Sequence, residues 1–204
     1  HQLAMVDAAE AMARSMDDDV ALLHVLACQT LVAPYAGYPA SSVTAAAEGL
    51  RLAEEIGSSQ YVSSFEIWTG MMAHMTGDEQ RAVQLGSRAL VRAQEAGDHR
   101  NVLLAFLLMR PLRDAYPEVA TILPTSVEAL DLARRSGETV LAALLLQGAT
   151  AEALARGDLA VAAQCLSECL VEARTSPPAF VCYSLVVALQ VFSAWEEHER
   201  VAWL

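Results

Sequence analysis

The chain has 204 residues, 54% of them hydrophobic, and a formal net charge of −12. That charge excludes a nucleic-acid surface, because phosphate binding needs clustered cations, and no direct nucleic-acid partner is expected. All 13 basic residues are arginine and Asn101 is the single asparagine, a bias that points to a GC-rich bacterial source. The cysteines Cys28, Cys165, Cys169 and Cys182 lack the density of a disulfide scaffold, so a reducing compartment, the cytoplasm, is expected.

In chain order, the first stretch, from Gln2 to Met16, places Leu3, Val6, Met12 and Met16 inward with Glu10 and Arg14 outward, which predicts the second helix of a hairpin. Asp17, Asp18 and Asp19 open the next helix, since carboxylates accept free amide hydrogens at its positive end. That helix covers about 20–32 and stops near Pro34 and Gly37; another runs from Ser41 or Ser42 to Ile56. Ser59 is expected to cap a helix to Met75, after which Gly77 supplies the stop and Asp78 the next cap.

Beyond Asp98 the pattern is irregular. Pro111 falls inside a first helix and predicts a kink or an early end near Arg110. Pro117 starts the following helix, and Pro124 lies within the same segment, so that helix begins late if Pro124 sits in its first turn. Gly157 and Asp158 form a later turn, and a last helix starts at about Ala179. From Thr175 to Trp195 there is no charge over a length close to the ~20 residues that span a bilayer. Pro177, Pro178, Ser184, Gln190 and Ser193 interrupt it, so a helix covered on several sides is expected and no membrane span.

The breaks recur. Leu50, Ala53 and Gly57 return as Leu90, Ala93 and Gly97, as Leu130, Ala133 and Gly137, and as Leu170, Ala173 and Pro177, at a step of about 40 residues. Gly37, Gly77, Pro117 and Gly157 form a second column midway. Two breakers per period make two helices, so the expected fold is all-α: a right-handed α-solenoid of helix-turn-helix repeats, one array over 1–204. Its parts are a partial repeat 1–16, full repeats 17–57, 58–97, 98–137 and 138–176, and a truncated repeat 177–204. Solenoid ends need polar caps and neither end has one, so self-association through apolar faces is expected. The start at His1 and the stop at Leu204 read as those of a piece cut from a larger protein.

Alternating breakers, small residues within helices and the phrase Ala153-Leu154-Ala155-Arg156-Gly157-Asp158-Leu159 resemble tetratricopeptide-like repeats. The tetratricopeptide period is shorter, about 34 residues. The longer form resembles the helical sensor region of large bacterial regulators similar to the maltose-operon activator, in which an ATPase module precedes the repeats and a LuxR-type DNA-binding domain often follows. The resemblance implies a non-catalytic module of transcriptional signal transduction. It would receive a small-molecule inducer or another protein on its concave face and pass the signal on as a change of self-association. A free-standing scaffold protein is the alternative, and an enzyme with a helical active site is a third reading.

The chain holds no Gly-x-x-x-x-Gly-Lys, His-Glu-x-x-His or Gly-x-Ser-x-Gly sequence, so no catalytic residue is assigned and no cofactor is expected. His24 with Cys28, and Cys165 with Cys169, have the i, i+4 spacing of ligands, but more than three repeats separate the pairs, and packed cysteines rather than a metal site are expected. The period brings Thr30, Gly70, Arg110, Thr150 and Gln190 into one column among apolar neighbours. A recurring polar position implies a face that meets water, so Thr30, Arg110, Thr150 and Gln190, with Glu66, His74 and Gln147 nearby, form the expected ligand or partner face. Arg110 leads it, as a fixed donor on an apolar wall.

Overall fold

A computed structural model describes residues 2–33, 39–174 and 178–194, and every regular element among them is helical. These are α1 (Gln2–Ser15), α2 (Asp19–Val32), α3 (Pro39–Glu55), α4 (Ser59–Met75), α5 (Glu79–Glu95) and α6 (His99–Met109), then a 3-10 turn (Arg110–Leu112). There follow α7 (Pro117–Ile122), α8 (Ser126–Arg135), α9 (Thr139–Ala155), α10 (Leu159–Ala173) and α11 (Pro178–Ala194). No helix among the described residues is long and apolar enough to cross a membrane.

One turn recurs between the helices. At the end of α4, Gly77 takes φ +84°, which L side chains resist, and the Asp78 N–H reaches back to the Ala73 carbonyl at 2.8 Å. The Asp78 carboxylate then accepts from the Arg81 N–H at 3.2 Å and so opens α5. The same backward bond joins Asp18 to Ala13, Ser58 to Ala53, Asp98 to Ala93, Glu138 to Ala133 and Asp158 to Ala153, at 2.8–3.2 Å. A glycine precedes the donor in each case except the first, where Asp17 holds φ +53°. The six alanines are at most 8% exposed, so the turn also sets a small side chain into the interior.

Asp18 and Asp78 cap as the sequence predicts, and Pro111 falls in the 3-10 turn that ends α6 at Met109. Other details differ. The cap position of α4 is Ser58, whose side chain makes no capping bond, rather than Ser59. Pro124 lies between two helices, because Thr125 and Glu128 form a reciprocal capping box that starts α8 afresh. Ala13 of α1 is buried, while Met12 and the following Met16 are 63% and 65% exposed, contrary to their expected inward positions. Gly37 and Pro177 lie outside the described residues.

The described residues form two compact units, His1–Leu123 and Pro124–Leu204. In the first, each helix from α1 to α6 packs on the next, and α4 also touches both α2 and α6. Its core joins Leu23 and Leu26 of α2, Leu52 of α3 and Phe65 of α4. Gly49 lets α3 approach α4 closely, since a Cβ there would stand 2.1 Å from the Phe65 ring. In the second unit α9 packs on α8, α10 and α11, and Leu166, Ala188 and Val191 share a core cluster.

Candidate functional site

The expected water-facing column is corrected at three positions. Thr30 and Thr150 are 2% and 0% exposed, and each hydroxyl donates to the carbonyl one turn back in its own helix, at Leu26 and Leu146, both at 2.8 Å. A threonine satisfied in this way carries no polar demand into the seam, so its polarity does not report contact with water. Thr30 faces α3, for the Ser42 hydroxyl donates to its carbonyl at 2.7 Å. Gly70 is buried as well, with Leu108 Cδ2 only 2.9 Å from where a Cβ would stand. Arg110 is half-buried with its guanidinium 6.0 Å from the Phe106 ring centroid, and the Gln190 side chain lies outside the described residues.

Of the remaining expected residues, Glu66 and His74 are on α4 and Gln147 is on α9. Gln147 is buried in α9 and donates to the Ser184 hydroxyl of α11 at 2.8 Å, beside the buried Cys169 thiol, which burial pushes up from its ordinary pKa. His74 is half-buried near the end of α4, with its Nδ1 enclosed and lacking a hydrogen-bond partner.

Glu66 of α4 is 4% exposed, with Arg88 and Arg92 of α5 at 3.1 Å and 3.7 Å from its two carboxylate oxygens. Burial pushes its carboxyl above the usual range, and the two guanidinium groups pull it part of the way back. The arginines also line an open depression of about 400 Å³ on α5, with Ser87, Val91 and Glu95. Arg88 and Arg92 are spaced i, i+4 on one helix face, a like-charge pair whose repulsion the Glu66 carboxylate relieves.

A second groove, of about 430 Å³, lies between α3, α4 and the start of α5. Ala46, Leu50 and Met72 make its wall apolar, and Thr69, Asp78 and Arg81 add polar groups. Apolar walls with few polar groups suit the binding of a small molecule or an apolar side chain.

Polar bonds join neighbouring helices at several places. His24 Nε2 and the Tyr61 hydroxyl are 2.7 Å apart, and the Ser64 hydroxyl donates to Asn101 Oδ1 at 3.1 Å, with the same sequence separation in both pairs. Arg14 reaches Glu48 at 2.8 Å in the first unit, and Arg134 reaches Glu168 at 3.1 Å in the second, across the same sequence separation. Among the described residues no three His, Cys, Asp or Glu side chains gather to hold a metal ion. Cys28 is exposed, and His24 is engaged with Tyr61. No protein-family model matches the chain, and no curated protein matches it.

Proposed function

We propose that the chain is a non-catalytic helical-repeat module that binds a small-molecule inducer or another protein, within a larger bacterial signal-transduction regulator of the cytoplasm. One observation carries the reading: the turn from a buried alanine carbonyl through a left-handed residue to the next cap stands at 13–18, 53–58, 73–78, 93–98, 133–138 and 153–158. Turns recurring in one register make helix hairpins stack as an α-solenoid of tetratricopeptide-like units, and such stacks serve as extended binding surfaces.

Within that surface the groove between α3, α4 and α5 is the ligand site of this proposal. Its apolar wall takes the body of the ligand, and Arg81 offers donors to a carboxylate or carbonyl on it. Thermal melting against sugars, nucleotides, amino acids and aliphatic carboxylates tests this. A true ligand at ~100 Kd stabilises by about 2.7 kcal/mol. The shift should vanish in Met72→Glu, which sets a charge in the wall. A shift that survives this change would move the site elsewhere, and turnover of any of these compounds would contradict the non-catalytic reading.

A further inference from the structure

The excess of acid is not spread evenly along the chain. Arg81, Arg88, Arg92, Arg100, Arg110 and Arg113, six of the 13 basic residues, fall within residues 80–113, where only Glu95 and Asp98 are acidic. The cations of α5 form a row. With a turn every ~3.6 residues, Arg81, Arg88 and Arg92 stand within about 40° of one line along the helix and span ~16 Å of it. Arg81 and Arg88 are exposed and Arg92 is half-buried, while the exposed Val91 borders the row and Glu95 lies beyond its end.

Internal pairing does not use up these charges. One carboxylate, Glu66, faces two guanidinium groups, so one positive charge is left over. Arg92 Nε stands 3.7 Å from Glu66 Oε2, too far for a hydrogen bond, and both atoms are enclosed without one. The Arg88 and Arg92 side chains stay 62% and 40% exposed on the open depression that they line. Nor does stability explain the arrangement, because burial raises the Glu66 pKa by more than the two arginines lower it. Glu66 instead holds two forked donors side by side, each with N–H groups to spare for a second carboxylate.

We propose that the α5 row docks a carboxylate-rich segment of another protein, with Arg88 and Arg92 clamping one acidic side chain and Arg81 a second. The length of the row suits a peptide, whose successive acids can meet cations set two helical turns and one turn apart. Val91 gives the segment an apolar contact beside them. A chain of net charge −12 repels an acidic peptide elsewhere on its surface, so attraction is local to the row. The inference rests on the binding role proposed above and names its protein partner by charge, on a face that shares only Arg81 with the groove.

Fluorescence anisotropy tests the row with a labelled glutamate-rich peptide that carries a central leucine, and with a copy in which glutamine replaces every glutamate. The unaltered chain should bind the acidic peptide, less tightly as salt rises, and should not bind the glutamine copy. Arg81→Gln, Arg88→Gln and Arg92→Gln should each weaken binding about tenfold, since each removes a charge-assisted bond, and Arg88→Gln with Arg92→Gln about a hundredfold. Arg134→Gln, an exposed arginine of the second unit, should leave it unchanged. Helical circular dichroism confirms that each variant folds, and Arg81→Gln lies outside the Glu66 pairing should the other two not fold. An unaltered chain that does not bind the acidic peptide overturns the proposal. So does equal binding of both peptides, affinity that survives the double variant, or an equal loss in Arg134→Gln. A single-stranded RNA that binds where the peptide does not would overturn it as well. The groove is judged by Met72→Glu with small molecules and the row by Arg88→Gln with the peptide, so either can fail alone.

Discussion

Asn101, in the first turn of α6, donates its side-chain amide to the backbone carbonyl of Gln60 in the first turn of α4, at 2.9 Å. The same amide reaches Asp98 Oδ2 at 2.7 Å, and its carbonyl accepts from Ser64, so a buried side chain that is 2% exposed has both ends satisfied. Asn101→Leu should cost about 1–3 kcal/mol in urea unfolding, because the groups left behind lose a partner inside the fold. A loss within a few tenths would mean that the bond is dispensable.

Gly49 and Phe65 form a second tie between helices. Gly49→Ala drives a methyl into the Phe65 ring and should cost about 1–3 kcal/mol, although alanine favours a helix over glycine. In the proposed repeat register the same two positions are next held by Ala89 and Ala105, both 0% exposed. In a Phe65→Ala background the Gly49→Ala penalty should therefore vanish or reverse, which a double-mutant cycle measures directly. An equal penalty in both backgrounds would show that the ring is not the obstacle.

Glu66 sets a pH dependence with a defined sign. Its folded pKa lies above the ordinary 4.5, so the folded chain holds that proton more tightly than the unfolded chain. The contribution is full below the unfolded value and is lost as pH rises through the folded one. Glu66→Gln mimics the protonated form. Its melting temperature relative to the unaltered chain should be close at pH 4 and should pull ahead toward pH 7. A variant that melts lower at pH 7 would mean that Arg88 and Arg92 more than offset the burial.

Arg14 and Arg134, which correspond in the proposed repeat register, each pair with two carboxylates: Glu10 and Glu48 for the first, Glu168 and Glu172 for the second. Both arginine side chains are more than 40% exposed, so solvent screens these pairs. Arg14→Ala and Arg134→Ala should each cost less than about 1 kcal/mol, and the loss should shrink in high salt. A large loss at one site alone would break the equivalence.

The helix ends were legible in the sequence because glycine at a left-handed position, aspartate at a cap and proline inside a run each act through local backbone chemistry. Gly77 with Asp78, Gly157 with Asp158, and Pro111 needed no knowledge of neighbours. The candidate site was far less legible. Thr30 and Thr150 are polar in sequence yet satisfied by their own helices, so polarity misreported exposure. The Glu66 pairing depends on how α4 lies against α5, and Gly49 only acquires meaning once Phe65 is known to face it. The exposure of Met12 likewise depends on which side of α1 is covered, which one helix in isolation does not encode.

Amide hydrogen exchange, resolved residue by residue, tests most directly that one turn recurs along the chain. The N–H groups of Asp18, Ser58, Asp78, Asp98, Glu138 and Asp158 sit outside helices yet donate to buried alanine carbonyls, so all six should exchange slowly. Fast exchange at Glu138 and Asp158 beside slow exchange at the others would confine the turn to the first unit and contradict a repeat that runs through both.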